Sequence, residues 1–426
     1  MRLPLRYPLL LASLALPTST ALAHAGLPET TSVTVRHGHP EDLFVGATFG
    51  ALVSRDSGKS WRWVCPQAMG YNWSPQSYLW QSTGQLLAAS GTSLLRSQDG
   101  GCSWETHDFF SSQGLWPTHV ASLPSHEARV WVSTGRPNVP NALYRSDDGG
   151  DTFTATSLRR EDARFSAVVL APSDPRRLYV SATTAAGLSL FRSDDEGASW
   201  VELPQPLPTL TEPYNFTVLQ VAEGHPEHLW ARASSQGYTW LLESHDGGHT
   251  LQPVLQLDEV LINMESSADG LTVWAATPTR LYRVREDTPA SFLPFPEGNA
   301  CVHREGDSLL VCGSTWVHGW ALARTRDEGT TWEPLFSLEE TQGPLSCPAG
   351  TPTRELCEPR WPQFAPSLGA NPYPNGPPPD AGPPGETPPA AKPKGCSATG
   401  GELATWLLPL AALLPSRRRH LERRRR

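Results

Sequence analysis

Carboxylate, imidazole and aromatic side chains are the groups in this 426-residue chain that could do chemistry, and their spacing sorts them. One set of acids recurs: Asp56, Asp99, Asp148, Asp195, Asp246, Glu286 and Asp327 stand 40 to 51 residues apart. Such acids could hold cations, serve catalysis or close turns. A second set, Asp162, Asp258 and Glu259, follows no repeat. Two carboxylates flanking a glycosidic bond are the machinery of glycoside hydrolysis, but nothing in the spacing selects a pair. Histidines fall close together at His37/His39, His225/His228 and His245/His249, which invites a metal reading. Aromatic residues cluster at Tyr71-Asn72-Trp73, Trp116, Tyr214-Asn215-Phe216 and from Trp316 to Trp320. Flat rings beside amides and Arg suit sugars or peptide side chains. No nucleophile elbow, zinc motif, phosphate loop or dinucleotide fingerprint occurs, so no cofactor is expected.

The recurring acids share a local pattern, Ser/Thr-x-Asp-x-Gly-x-Ser/Thr-aromatic. It reads SRDSGKSW from Ser54, SQDGGCSW from Ser97, SDDGGDTF from Ser146, SDDEGASW from Ser193 and TRDEGTTW from Thr325; SHDGGHTL from Ser244 ends on Leu, and the copy at Glu286 is worn. The Asp carboxylate can accept backbone N–H groups just downstream, Gly supplies a positive φ, and the final ring can pack between sheets. Asp56, Asp99, Asp148, Asp195, Asp246 and Asp327 are therefore expected to be structural. Around each turn the chain alternates apolar and polar residues in four short runs, most clearly Phe165 to Leu170, Leu178 to Ala182, Leu188 to Arg192 and Trp200 to Leu203. A period of this length with four strands is that of propeller blades. Seven periods fit between Thr31 and Leu338, so an all-β, seven-bladed β-propeller is expected over residues 26–340.

The turn resembles the Asp-box (BNR) repeat of sialidases, sortilin-type receptors, photosystem assembly factors and some glucanases. That resemblance implies a propeller whose boxes lie away from the active face. The early Arg-Ile-Pro motif of sialidases is absent after residue 25, and the glucanases set two Asp residues on two propellers where this chain has one. On this frame His37 to Asp42 and Gly224 to His228 are variants of the inter-strand turn at Pro172-Ser173-Asp174-Pro175, and His245 and His249 take variable box positions. No metal ligands are expected. In an up-and-down blade the box turns share a face with the turns between strands one and two. The opposite face collects the two-to-three loops and the blade crossovers. Tyr71, Trp73, Trp116, Tyr214, Trp316 and Trp320 belong there as candidate ligand-binding residues, alongside Trp80, Phe109-Phe110, Arg136, Tyr238 and Trp240. Asp162, Asp258 and Glu259 lie near crossovers as candidate catalytic acids.

The two ends give an address. Residues 1–25 carry Arg2 and Arg6, an apolar run from Leu9 to Leu16 and a small-x-small site at Ala23-His24-Ala25, as a secretory signal does. Export makes disulfides possible. Cys301 and Cys312 flank a turn near Gly306-Asp307 and should pair; Cys347 and Cys357 enclose a short loop in an extension over 341–358, which leaves Cys65 to Cys102, although the sequence alone leaves other connectivities open. Residues 359–394 read as a Pro-rich linker. Residues 395–426 hold Gly395-Cys396-Ser397, an apolar stretch from Leu403 to Leu414 and two Arg clusters. That order resembles the MYXO-CTERM sorting tail of myxobacterial surface proteins. The resemblance implies cleavage near Cys396 and retention at the Gram-negative cell surface, through a modified Cys396; a permanent tail anchor is the alternative, and either is the one membrane contact expected.

Formal net charge is −9, and the two ends hold nine of the 34 basic residues but few of the acids, so the body is more acidic still. An acidic body argues against nucleic acid and against docking on anionic lipid. The reading is a secreted, surface-displayed propeller that binds a polysaccharide or protein ligand without catalysis. A glycoside hydrolase on extracellular polymer and an assembly or scaffold factor are the alternatives.

Overall fold

The computed structural model describes residues 28–376 apart from 71–76, 206, 286–287, 293–300 and 375. The signal segment, Tyr71, Trp73, Glu286, Cys396 and the sorting tail lie outside the described residues.

Seven antiparallel sheets, each with four consecutive strands, make a seven-bladed all-β propeller. In every blade the strands run in chain order across the sheet. Blade four shows the rule: Ala163–Ala171, Asp174–Thr184, Gly187–Ser193 and Val201–Pro204. The first strands of neighbouring blades meet one another around the axis, and the apolar faces of the sheets close against the next blade. Trp131, Phe165, Val180 and Phe191 form one such inter-blade layer. A fully buried ring of this kind contributes about 3–5 kcal/mol when judged by truncation to Ala. The tight turn after blade one's first strand is shorter than the sequence reading: His39–Ala47 is all strand, with His39 paired to Arg36.

The Asp turns are self-contained. In blade four, Asp195 Oδ1 accepts from Ser193 Oγ at 2.8 Å and from Ser199 N–H at 2.8 Å, while Oδ2 accepts from Ser199 Oγ at 2.6 Å. Ser193 Oγ accepts the Gly197 N–H at 2.8 Å, and Trp200 Nε1 donates to Gly197 O. Asp56, Asp99, Asp148, Asp246 and Asp327 likewise accept from the hydroxyl two residues before and the N–H four residues after. Glycine is required at Gly197, where φ is +79° and a Cβ would lie 3.0 Å from the Trp131 ring of the preceding blade.

Ring closure, which the sequence left open, overturns the expected cysteine pairing. Blade seven is built wholly from C-terminal strands and blade one from N-terminal ones. Thr30 Oγ1 crosses the seam to Gly313 O and Ala321 O. The chain then returns to blade one as a fifth strand, Thr341–Pro344, parallel to Trp61–Val64. This carries Cys347 to Cys102 and Cys357 to Cys65, so the expected Cys347–Cys357 and Cys65–Cys102 pairs are replaced by Cys65–Cys357 and Cys102–Cys347. Only Cys301–Cys312 joins as expected. Nearness in sequence lost to a returning strand. The expected linker is also wrong at its start: Trp361–Leu368 is a helix. Pro362 sits in its first turn, where no N–H is needed, and Trp361, Ala365 and Leu368 bury one stripe. Phe364 stacks on Trp63 at 4.6 Å. Three disulfides fit folding in an oxidising, exported setting.

Candidate functional site

The strand order sends the two-to-three loops and crossovers to the face opposite the Asp turns. Trp116 precedes the first strand of blade three and is 36% exposed. The Arg136 guanidinium lies 5.6 Å from its ring centre, over the face, as a cation attracted by the ring quadrupole. Arg136 is held in place: its Nη1 donates to Gly114 O at 2.7 Å and its N–H donates to Asn141 Oδ1 at 2.8 Å. Asn141 Nδ2 donates back to Arg136 O and on to Ala163 O of the next blade. A buried amide thus splints the two-to-three loop and fixes the cation against the indole.

Tyr214 opens the first strand of blade five and is 48% exposed; Tyr238 opens its third strand and is 43% exposed. Trp316 and Val317 stand out from a short helix, Thr315–His318, in the two-to-three loop of blade seven. Among the described residues no ring contact joins Trp116, Tyr214 and Trp316, so they offer separate stations on one face. Trp320 is corrected: it is buried, stacked on His318 at 4.8 Å and on Trp332 at 6.2 Å, and belongs to the core. Trp80, Phe110 and Phe216 are buried too. Phe109 and Phe110 pack on Tyr144 and Phe153, so that crossover spends its rings on its own seat. Ring type and loop position do not separate a station from a plug; the packing does.

Two of the candidate acids, Asp162 and Glu259, are held by local partners. Asp162 takes two hydrogen bonds from Arg160, which also holds Glu202. Those Arg160 bonds keep its carboxyl below the usual range. Glu259 accepts from Thr279 N–H and Oγ1 in the two-to-three loop of blade six. Burial works against its ionised form, but the Thr279 and Thr277 bonds outweigh it and its carboxyl is lowered as well. A general acid must keep its proton near neutral pH; both acids are set the other way. Asp258 adjoins Glu259 in the same crossover.

The sequence reading passed over a polar chain on the first strands. Glu265 of blade six accepts from Gln220 Nε2 of blade five at 3.0 Å and lies 3.4 Å from His303 Nδ1 of blade seven. Glu223 and Arg304 pair across the same blades. The signal was available, since Gln220, Glu265 and His303 interrupt apolar first strands, but its meaning needed the ring. On blade three's first strand His119 is half-buried with its Nδ1 enclosed, and loss of hydration pushes its imidazole down to about 4, so it is neutral. On the Asp-turn face, His228, Glu243 and His245 converge.

No family model matches the chain. A stretch of 118 residues is 28% identical to a xyloglucanase of Hypocrea jecorina, covering 28% of this chain and 13% of that enzyme. Among solved structures, the GH74 xyloglucanase of Xanthomonas campestris is similar at 15% identity and a TM-score of 0.48, covering 71% of this chain and 60% of that one. YCF48 bound to D1 peptide is similar at 16% identity and a TM-score of 0.47, covering 67% of this chain and 92% of that one. The chain therefore spans a small part of the Hypocrea enzyme and less than two thirds of the Xanthomonas one. At these identities and overlaps the likenesses carry no argument about chemistry, and the propeller stands on its own sheet topology.

Proposed function

We propose that the face opposite the Asp turns binds an extracellular polysaccharide or protein without catalysis. The observation that carries this reading is the Trp116 station: an exposed indole capped by a splinted Arg136. Trp316 and Tyr214 add exposed rings on other blades of the same face. Rings held by a rigid scaffold lose little entropy when a sugar or peptide covers them. Asp162 and Glu259, held ionised by their own partners, support the absence of acid catalysis. The chain is exported, and display at a myxobacterial surface through the tail near Cys396 belongs to this proposal.

The second reading, a glycoside hydrolase, is favoured by the stretch resembling a xyloglucanase. One experiment separates the two. The full chain is passed over a panel of polysaccharides, xyloglucan included, and both retention and released reducing ends are scored. Retention without release, weakened by Trp116→Ala, supports the proposal. Release sinks the non-catalytic reading and sends mutagenesis to Asp162, Asp258 and Glu259. Neither signal moves the proposal to a protein ligand or scaffold role, to be tested by pull-down from cell envelopes.

A further inference from the structure

The repeat carries its own control. At the Asp-turn end of the second and third strands, an oppositely charged cross-strand pair stands just beyond the last ladder partners in three blades. In blade one it is Asp42 with Arg55 at 2.9 Å, in blade three Arg129 with Asp147 at 3.2 Å, and in blade four Arg177 with Asp194 at 2.6 Å. In blade five the same two positions hold His228 and His245. The residue immediately before the turn's first hydroxyl is Arg96, Arg145, Arg192 and Arg324 in blades two, three, four and seven; in blade five it is Glu243. Three positions depart together: two arginines sharing one aspartate in blades three and four become two imidazoles and a carboxylate in blade five.

The ladder register puts them on one side. Trp230 faces Glu243 and Leu229 faces Ser244, and strand side chains alternate, so His228, Trp230, Glu243 and His245 share a face. His228 Nε2 lies 2.7 Å from Glu243 Oε1, and His245 Nε2 lies 3.7 Å from Glu243 Oε2. One ligand atom from each of the three residues can be chosen so that all lie within 4.8 Å of one another. Ligands at tetrahedral zinc, with bonds near 2.0–2.1 Å, are about 3.3 Å apart, a spacing these two distances bracket. The supports are those of a metal ligand set: Trp230 Nε1 donates to Glu243 Oε1 at 3.1 Å, and Gly270 of blade six leaves room for the His228 ring, whose Nδ1 would be 2.9 Å from a Cβ there. Only His228 is buried. The side chain of His245 is 61% exposed, beside a shallow depression lined by Glu243, Ser244, Asp246, Thr250 and Gln252, so a fourth position opens to solvent.

We propose that His228, Glu243 and His245 bind one divalent first-row transition ion, Zn²⁺ foremost, on the Asp-turn face of blade five. Two neutral imidazoles and one carboxylate leave the site a net positive charge with Zn²⁺ and select N/O-seeking ions over Ca²⁺ or Mg²⁺. The site is independent of the opposite, ligand-binding face.

The test uses the tag-free full chain after chelator treatment and dialysis. Zn²⁺ is titrated by calorimetry, and Co²⁺ by its visible absorption, which is intense only in tetrahedral sites. One Zn²⁺ per chain and a tetrahedral Co²⁺ spectrum are expected. His245→Ala and Glu243→Gln should each weaken binding by at least about 10-fold and lose that spectrum. His39→Ala, at another exposed His–Glu contact, should change neither. His245 is exposed, so its variant should melt with the metal-free parent, which separates lost binding from lost fold. Absence of saturable binding, binding untouched by both variants, or an octahedral Co²⁺ spectrum overturns the proposal.

Discussion

The two bridges to the returning segment should be worth more together than the sum of their single losses. Cys65–Cys357 encloses Cys102–Cys347 in the sequence, with separations of 292 and 245. While the inner bridge remains, cutting the outer one by Cys65→Ala/Cys357→Ala frees only the short way round, about 47 residues, which costs about 4 kcal/mol in the chain-entropy account. Cutting the inner bridge alone frees a similar loop at a similar cost. Cutting both also releases the long loop, for about 10 kcal/mol in all. At roughly 2 cal/mol/K per residue of unfolding entropy, that is a melting temperature lower by roughly 5 °C for either pair and roughly 15 °C for the fourfold variant. Scanning calorimetry of the four proteins checks it. Alanine suits the buried Cys65 and Cys357 because it adds no polar group. A fourfold variant melting no lower than either double variant refutes the nested-loop reasoning. One melting with the parent means that the fifth strand and the helix Trp361–Leu368 hold the seam without covalent help.

Ser146→Ala leaves the buried Gly150 N–H without its 2.8 Å acceptor and should cost about 1–3 kcal/mol by denaturant unfolding, with ligand retention unchanged. Gly197→Ala should destabilise measurably, since it combines a positive φ with contact on Trp131. Acid should unfold the propeller through its turns. The Asp327 carboxyl is held down to about 2, first by the Thr331 N–H and then by the Thr331 and Thr325 hydroxyls. Asp195 is lowered chiefly by the Ser199 hydroxyl; at Asp56 and Asp246 burial opposes the shift and the turn's hydrogen bonds prevail. Folded values lie below the unfolded one near 4, so this stability is complete above about pH 4 and is lost as pH falls through the folded values. Asp327→Asn should flatten the fall of melting temperature between about pH 4 and 2. Trp116→Ala should weaken ligand retention with an unchanged melting temperature, because the ring is exposed.

Local physics was legible in the chain. A Ser, an Asp, a Gly and a second hydroxyl at fixed offsets can satisfy one another within eight residues, so the turn reads from sequence wherever it stands. Four alternating runs per period gave the blade, and counting periods gave seven. Cys301 and Cys312 also read correctly, because a hairpin register is local. The exposed Trp316 and the buried Trp320 show the opposite case. They sit four residues apart in the same loop, and only the stacking of His318 and Trp332 on one of them tells a plug from a station.

What only the tertiary structure decided was everything set by chain return and ring closure. Cys347 meets Cys102 because Thr341–Pro344 comes back to the outer edge of blade one, a contact 245 residues long that no spacing rule contains. His228 meets His245, and not its sequence neighbour His225, because an antiparallel register brings distant strand ends together on one face. Turn formation is governed by hydrogen bonds within a few residues and is written in the sequence. Disulfide pairing, ligand stations and the histidine cluster depend on which surfaces the closed ring brings into contact, and that is a property of the whole chain.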